Sequence, residues 1–141
     1  MDKQMTVANA LVGRKLSGVQ KCEYSWAFVF GDSATLTAEC PWRILTNGIA
    51  FTNRDHGQQF GLPAPLDGER EATRLLSNKV EQACIREDTG DLLIQFAGGV
   101  SLEILNLSFG YEAWQLCSPG RHTLLVAQGG GNVVVFAPPN T

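Results

Sequence analysis

The sequence is short of charge, of histidine and of long apolar runs, and each shortage excludes something. Charged residues are 18% of the 141, below the usual globular share. Eleven Lys and Arg face fourteen Asp and Glu, a formal net charge of −3. No excess of cations is left for a phosphate backbone, so general nucleic-acid binding is not expected. No stretch approaches the roughly 20 apolar residues of a membrane span. Met1 to Lys15 hold no apolar run long enough for a signal-peptide core, so a cytoplasmic protein is expected. Two histidines, and the absence of any C-x-x-C spacing, leave no zinc ligand set, and no metal or other cofactor is expected. The four cysteines Cys22, Cys40, Cys84 and Cys117 are read as free thiols; Cys40 and Cys84 fall in apolar strand patterns as small core residues. No G-x-S-x-G or comparable nucleophile turn occurs, so no catalytic residue is assigned.

Glycine, by contrast, is plentiful. Fifteen glycines separate short apolar runs, the punctuation of a β-rich chain. Tyr24, Trp26, Phe28 and Phe30 alternate before Gly31-Asp32-Ser33, and Leu36, Ala38 and Cys40 alternate after it: a hairpin with one buried face. A strand is expected before it, around Lys15 to Cys22. Val80 to Arg86, Leu92 to Phe96 and Val100 to Leu105 form a meander, with turns at Asp88-Thr89-Gly90-Asp91 and Gly98-Gly99. Tyr111 to Cys117, His122 to Gln128 and Asn132 to Phe136 supply three more strands. Gly129-Gly130-Gly131 leads into a strand, so it reads as a hairpin turn; a phosphate loop would lead into a helix.

One helix is expected near residues 68–78 and across the sheet. Asp67 is its N-cap, Glu69 and Glu71 lie in its first turn, and Ala72, Leu75 and Leu76 form one apolar stripe. The expected fold is mainly β, α+β at the margin. About ten short, mostly antiparallel strands would form a sandwich, a strongly curved sheet or a partial barrel. Length and composition fit one domain over 1–141, with 1–10 and 138–141 frayed.

The irregular segment Ile49 to Pro65 is rich in polar residues: Arg54, Asp55, His56, Gln58 and Gln59, with the aromatic Phe60. It reads as an ordered loop, with Asp55 and His56 satisfying backbone groups and Phe60 and Leu62 anchored in the core. It also reads as an exposed recognition loop, or as the site of an Asp-His pair. Adjacent side chains of an extended segment point apart, which argues against Asp55 orienting the His56 ring. Two aromatic-charged clusters stand out besides. Glu39-Cys40-Pro41-Trp42-Arg43 sits where a strand meets proline, suiting an edge or a bend; Gly110-Tyr111-Glu112-Ala113-Trp114 opens a later strand. Trp42 and Trp114 are either core indoles with bonded N–H groups or interface anchors.

Gly13-Arg14, Glu39-Cys-Pro-Trp-Arg43, Asp55-His-Gly-Gln58, Phe60-Gly-Leu-Pro63, Thr89-Gly-Asp-Leu92, Gly110-Tyr-Glu-Ala-Trp114 and Gly129-Gly-Gly131 occur in that order. In this series the chain resembles, over roughly residues 11 to 137, a family of small bacterial proteins of unknown function. The resemblance implies a bacterial, intracellular, single-domain protein and brings no catalytic residue. In size and acidity the chain is also similar to immunity proteins of polymorphic toxin systems. The function expected is therefore non-enzymatic: an intracellular immunity protein that binds and neutralises a basic toxin domain. Its contact set would be Glu39, Trp42, Arg43, Arg54, Asp55, His56, Gln58, Glu112 and Trp114. The alternative is a small enzyme or ligand-binding domain, with His56 as acid/base beside Asp55, Arg54 or Glu112. A self-associating module is a third reading.

Overall fold

The computed structural model describes residues 2–120 and 122–136. In chain order the elements are α1 (Lys3–Leu11), β1 (Gly18–Lys21), β2 (Trp26–Phe30), β3 (Ala34–Ala38), β4 (Trp42–Leu45), β5 (Ile49–Thr52), α2 (Gly68–Leu75), β6 (Val80–Ile85), β7 (Leu92–Phe96), β8 (Val100–Ile104), β9 (Trp114–Cys117), β10 (Thr123–Ala127) and β11 (Val133–Val135). Short 3-10 turns occupy Asn53–Asp55 and Gly129–Gly131. The described strands form two antiparallel sheets, ordered β1-β2-β3-β9-β10-β11 and β5-β4-β8-β7-β6. The chain gives three strands to the first sheet, crosses at Cys40-Pro41, builds the whole second sheet, and returns for the last three. The fold is mainly β and antiparallel, as the alternation of apolar and polar residues predicts, and of the three arrangements expected it is the sandwich.

The core lies between the sheets. Trp26, Phe28, Phe30, Leu36, Trp114, Leu116 and Leu125 from one side meet Trp42, Ile44, Phe51, Leu92, Ile94, Phe96, Leu102 and Ile104 from the other. The expected hairpin is β2–β3, in register Phe28↔Leu36, and the expected meander is β6–β7–β8. Tyr24 does not join that face. A tight turn, with the Cys22 N–H donating to the Ser25 carbonyl at 2.8 Å, delays the strand to Trp26 and leaves Tyr24 exposed. The Cys40-Pro41 bend is where the chain changes sheet, but β4 beyond it is an interior strand between β5 and β8, not an edge.

Two helices are described, not one. The segment expected to fray holds α1: the Asp2 carboxylate caps it by accepting from the Met5 N–H at 2.8 Å, and Thr6, Val7, Ala10 and Leu11 are buried. Residues 138–141 lie outside the described residues. α1 packs on β6, the last strand of the second sheet. There the Gln4 side-chain amide donates to the Ile85 carbonyl at 2.6 Å and accepts from the Ile85 N–H at 2.9 Å, so one side chain pairs an open strand edge as a neighbouring strand would.

α2 begins as expected, with Asp67 accepting from the Glu69 and Arg70 N–H groups, but ends at Leu75 and not near residue 78. It lies against β1, whose outer edge it covers: the Glu69 carboxylate accepts the Lys21 N–H at 2.9 Å. Among the described residues no helix is long and apolar enough to cross a membrane.

Candidate functional site

The nine residues expected to form one contact set divide into three groups: five that build the molecule, two exposed on the loop, and two that converge elsewhere. Trp42, Arg43, Asp55, His56 and Trp114 build the molecule. Trp42 and Trp114 are 1% and 2% exposed, so neither indole is available as an interface anchor. The cause is strand phase: each opens a strand on its inward-facing position. Trp114 Nε1 donates to the Gly90 carbonyl at 2.9 Å. Trp42 Nε1 has no acceptor among the described residues; its ring stands edge-on to Trp26 and Phe28, with centroids 5.1 and 5.2 Å away. Arg43 faces outward on β4, directly opposite Glu103 of β8, and its Nε lies 2.6 Å from that carboxylate.

Asp55 and His56 satisfy backbone groups. Asp55 accepts from the Thr52 N–H at 3.0 Å, closing a capping box with the Thr52 side chain. His56 Nδ1 accepts from the Gly68 N–H at 2.9 Å, and the ring packs edge-on against Trp26. The imidazole thus presents its acceptor nitrogen to the first residue of α2 and not to a substrate. Gln58 and Arg54 are exposed on the same loop. The loop is closed by the Gly57 N–H donating to Leu66 and the Leu66 N–H to Gln58. Phe60 and Leu62 do not anchor it. Phe60 is 68% exposed and adopts a left-handed conformation, φ 47°, so its ring projects from the loop tip.

The other residues do converge. Glu39, just past β3, and Glu112, just before β9, are brought together because Ala38 pairs with Trp114 and the Glu39 N–H donates to the Ala113 carbonyl at 2.8 Å. Their side chains line one concavity of about 130 Å³, with Thr37 and Gln115. Glu39 also lines a second, adjoining hollow of about 310 Å³ with Lys21, Glu23, Tyr24, Cys40 and Asn53. Antiparallel pairing explains the gathering. The ends of β1 and β3 and the starts of β2 and β9 all lie at one rim of the six-stranded sheet.

Three aromatic side chains stand out from this rim: Tyr24 and Tyr111, each 82% exposed, and Phe109, 95% exposed. Leu107, on the β8–β9 connection with Phe109 and Tyr111, is exposed too. That connection is held from below. The Ser108 hydroxyl accepts from the Gly110 and Tyr111 N–H groups at 3.1 and 2.9 Å, and the Gly130 N–H donates to the Ser108 carbonyl at 2.9 Å. A methyl group at Gly129 would overlap the Phe109 carbonyl oxygen and the Gly110 Cα. The glycine run therefore turns β10 into β11 and also lets the Phe109 backbone seat against it.

Electrostatically the rim is acidic. Glu23, Glu39 and Glu112 are exposed, while the local cation, Lys21, sits over the Trp26 ring at 5.6 Å and donates to the Cys22 carbonyl. Cys40 beneath them is no nucleophile. Burial first, and the charge of Asp91 second, push its thiol up to about 12. Among the described residues no three His, Cys, Asp or Glu side chains converge as metal ligands. Tyr24, Glu23, Phe109 and Tyr111 had no place in the expected contact set. In the sequence Tyr24 alternates with Trp26 as an inward-facing residue would, whereas Tyr111 lies within the Gly110–Trp114 segment.

The fold and this rim define a two-sheet antiparallel β-sandwich whose exposed carboxylates and aromatics gather at one end. Residues 7–137 match the model described as a family of unknown function (DUF6188), and the chain belongs to that family. No curated protein and no solved structure matches it.

Proposed function

We propose that the protein is a non-enzymatic, intracellular binding protein, an immunity protein that neutralises a toxin by covering a basic surface of it with this rim. The observation that carries the reading is the convergence of Glu39 and Glu112 in one concavity, at the rim whose connections carry the exposed Tyr24, Phe109 and Tyr111. Exposed aromatics supply large contact areas with little side-chain entropy to lose, and Tyr is enriched among the residues that dominate interfaces. Carboxylates around them steer and orient a cationic partner. An exposed apolar cluster of this kind, rimmed by charge, is a common mark of a docking site. The enzymatic alternative has weaker support, because His56 spends its acceptor nitrogen on the Gly68 N–H.

The test is co-expression with candidate toxin domains, beginning with the product of the adjacent gene. Restored growth and co-purification of the two chains are expected, with both lost in the Glu39→Lys/Glu112→Lys variant. Undiminished toxicity with no co-purification would remove the proposal.

A further inference from the structure

The opposite end of the sandwich carries the reverse charge. Lys15 and Lys79 are partners in an isolated antiparallel bridge between the α1–β1 connection and the start of β6. The Val80 N–H donates to the Arg14 carbonyl at 2.9 Å, so the bonds of this contact run through neighbours and not between the two lysines. Partners in such a non-hydrogen-bonded pair carry their side chains on one face at the closest approach a sheet allows. Like charges placed there are destabilising. Arg14 adjoins them, and all three side chains are exposed. Among the described residues the ion pairs are Lys3–Glu87, Arg43–Glu103, Arg74–Glu71 and Arg86–Asp88; none neutralises Arg14, Lys15 or Lys79.

These cations border an open concavity of about 400 Å³, lined by Gly13, Arg14, Lys15 and the β2–β3 turn from Phe30 to Ser33. That volume falls within the range of about 300–1,000 Å³ typical of small-molecule sites. Lys79 stands at its border through the bridge to Lys15. Among the described residues the one carboxylate in its wall is Asp32. A side-chain methyl at Gly13 or Gly31 would meet nothing within 4 Å, so both backbones are open to the concavity.

We propose that this concavity binds a small phosphate-bearing anion through Arg14, Lys15 and Lys79. The wall holds Arg14 and Lys15 against Asp32, and Lys79, bridged to Lys15, adds a third cation beside it, so the excess is positive, as a phosphoryl group carrying about −1.5 to −2 at pH 7 requires. The Arg14 guanidinium offers a planar fork for two phosphoryl oxygens, and the two ammonium groups act as point charges beside it. The bound anion relieves the repulsion between Lys15 and Lys79. The remainder of the surface is acidic overall, which favours a compact anion held locally over an extended polyanion.

The experiment titrates inorganic phosphate into the full chain at constant ionic strength, following the Gly13 and Gly31 amide resonances. A saturable shift at both glycines is expected in the wild type. Binding falls by about tenfold or more in Lys15→Gln/Lys79→Gln and tightens in Asp32→Asn. In phosphate-free buffer Lys79→Gln raises the melting temperature, because it removes the repulsion. No saturable shift, equal binding in the double variant, or a lowered melting temperature in Lys79→Gln overturns the proposal. Vesicles of phosphatidylglycerol separate the sources. Sedimentation of the wild type with vesicles, and no response to free phosphate, would overturn the small-anion site in favour of a lipid headgroup.

Discussion

Trp42 and Trp114 offer an internal comparison, since both indoles are fully buried and differ in what their N–H groups meet. Replacing either by phenylalanine deletes the same atoms and leaves a similar gap, so the packing cost largely cancels between the two variants. The polar term does not. Trp114→Phe strands the buried Gly90 carbonyl, which accepts from Nε1 at 2.9 Å, at a cost of about 1–3 kcal/mol. Trp42→Phe removes a buried donor that has no acceptor among the described residues, so the corresponding penalty disappears. Trp114→Phe is therefore expected to be the less stable variant by about 2 kcal/mol or more. For a domain of this size that corresponds to a difference of about 8 °C in melting temperature. Urea denaturation followed by far-ultraviolet circular dichroism measures it without depending on tryptophan emission. Equal stabilities, or a less stable Trp42→Phe, would refute the reasoning. A second readout separates structure from recognition: neither variant, while folded, should change the contacts of a partner at the rim.

Three further outcomes follow from the packing. Gln4→Ala removes both hydrogen bonds to Ile85 and should cost about 1–2 kcal/mol, with faster hydrogen exchange at the Ile85 amide; unchanged protection there would contradict the edge-pairing role. Gly129→Ala must displace the Phe109–Gly110 backbone, at about 1–3 kcal/mol, and should shift the Phe109 and Tyr111 resonances; a variant with native shifts would contradict the close packing. The Glu87 carboxyl is held below its ordinary range by hydrogen bonds from Lys3 and then Gln4, and by the Lys3 charge. A lowered folded value means the contribution is present above the carboxyl range of the unfolded chain and fades as pH falls through the lowered one. Amide shifts of the first turn of α1 should follow that titration, and Glu87→Gln should abolish it; persistence of the titration in the variant would contradict the assignment.

The parts of the fold that were legible are those whose signal is local. Period-two alternation marks β2, β3, β7 and β8, Asp67 and the acidic first turn mark α2, and the glycine run marks the β10–β11 turn. Two further local signals lie in the chain. Val7, Ala10 and Leu11 have helical spacing behind Asp2, the cap of α1. Asn47-Gly48, with φ of 56° and 120°, closes the β4–β5 hairpin, the kind of dipeptide that favours such turns. What was not legible is non-local. The pairing of β3 with β9 joins residues far apart in the chain, and it alone brings Glu39 to Glu112. It also turns Trp114 inward and sets Gly90 as its acceptor. A list of charged and aromatic residues cannot separate such an inward-facing indole from an exposed Tyr111.

The rim is tested most directly by the affinity of the purified chain for a toxin domain that co-purifies with it, compared between wild type, Glu39→Lys/Glu112→Lys and Glu81→Lys. Glu81 is an exposed carboxylate on β6, in the other sheet, so reversing it changes net charge equally per site without touching the rim. The expected result is a loss of about tenfold or more for the double reversal, steepest at low salt, and near wild-type affinity for Glu81→Lys. Equal affinities in all three proteins, each folded by circular dichroism, would contradict a docking role for this surface.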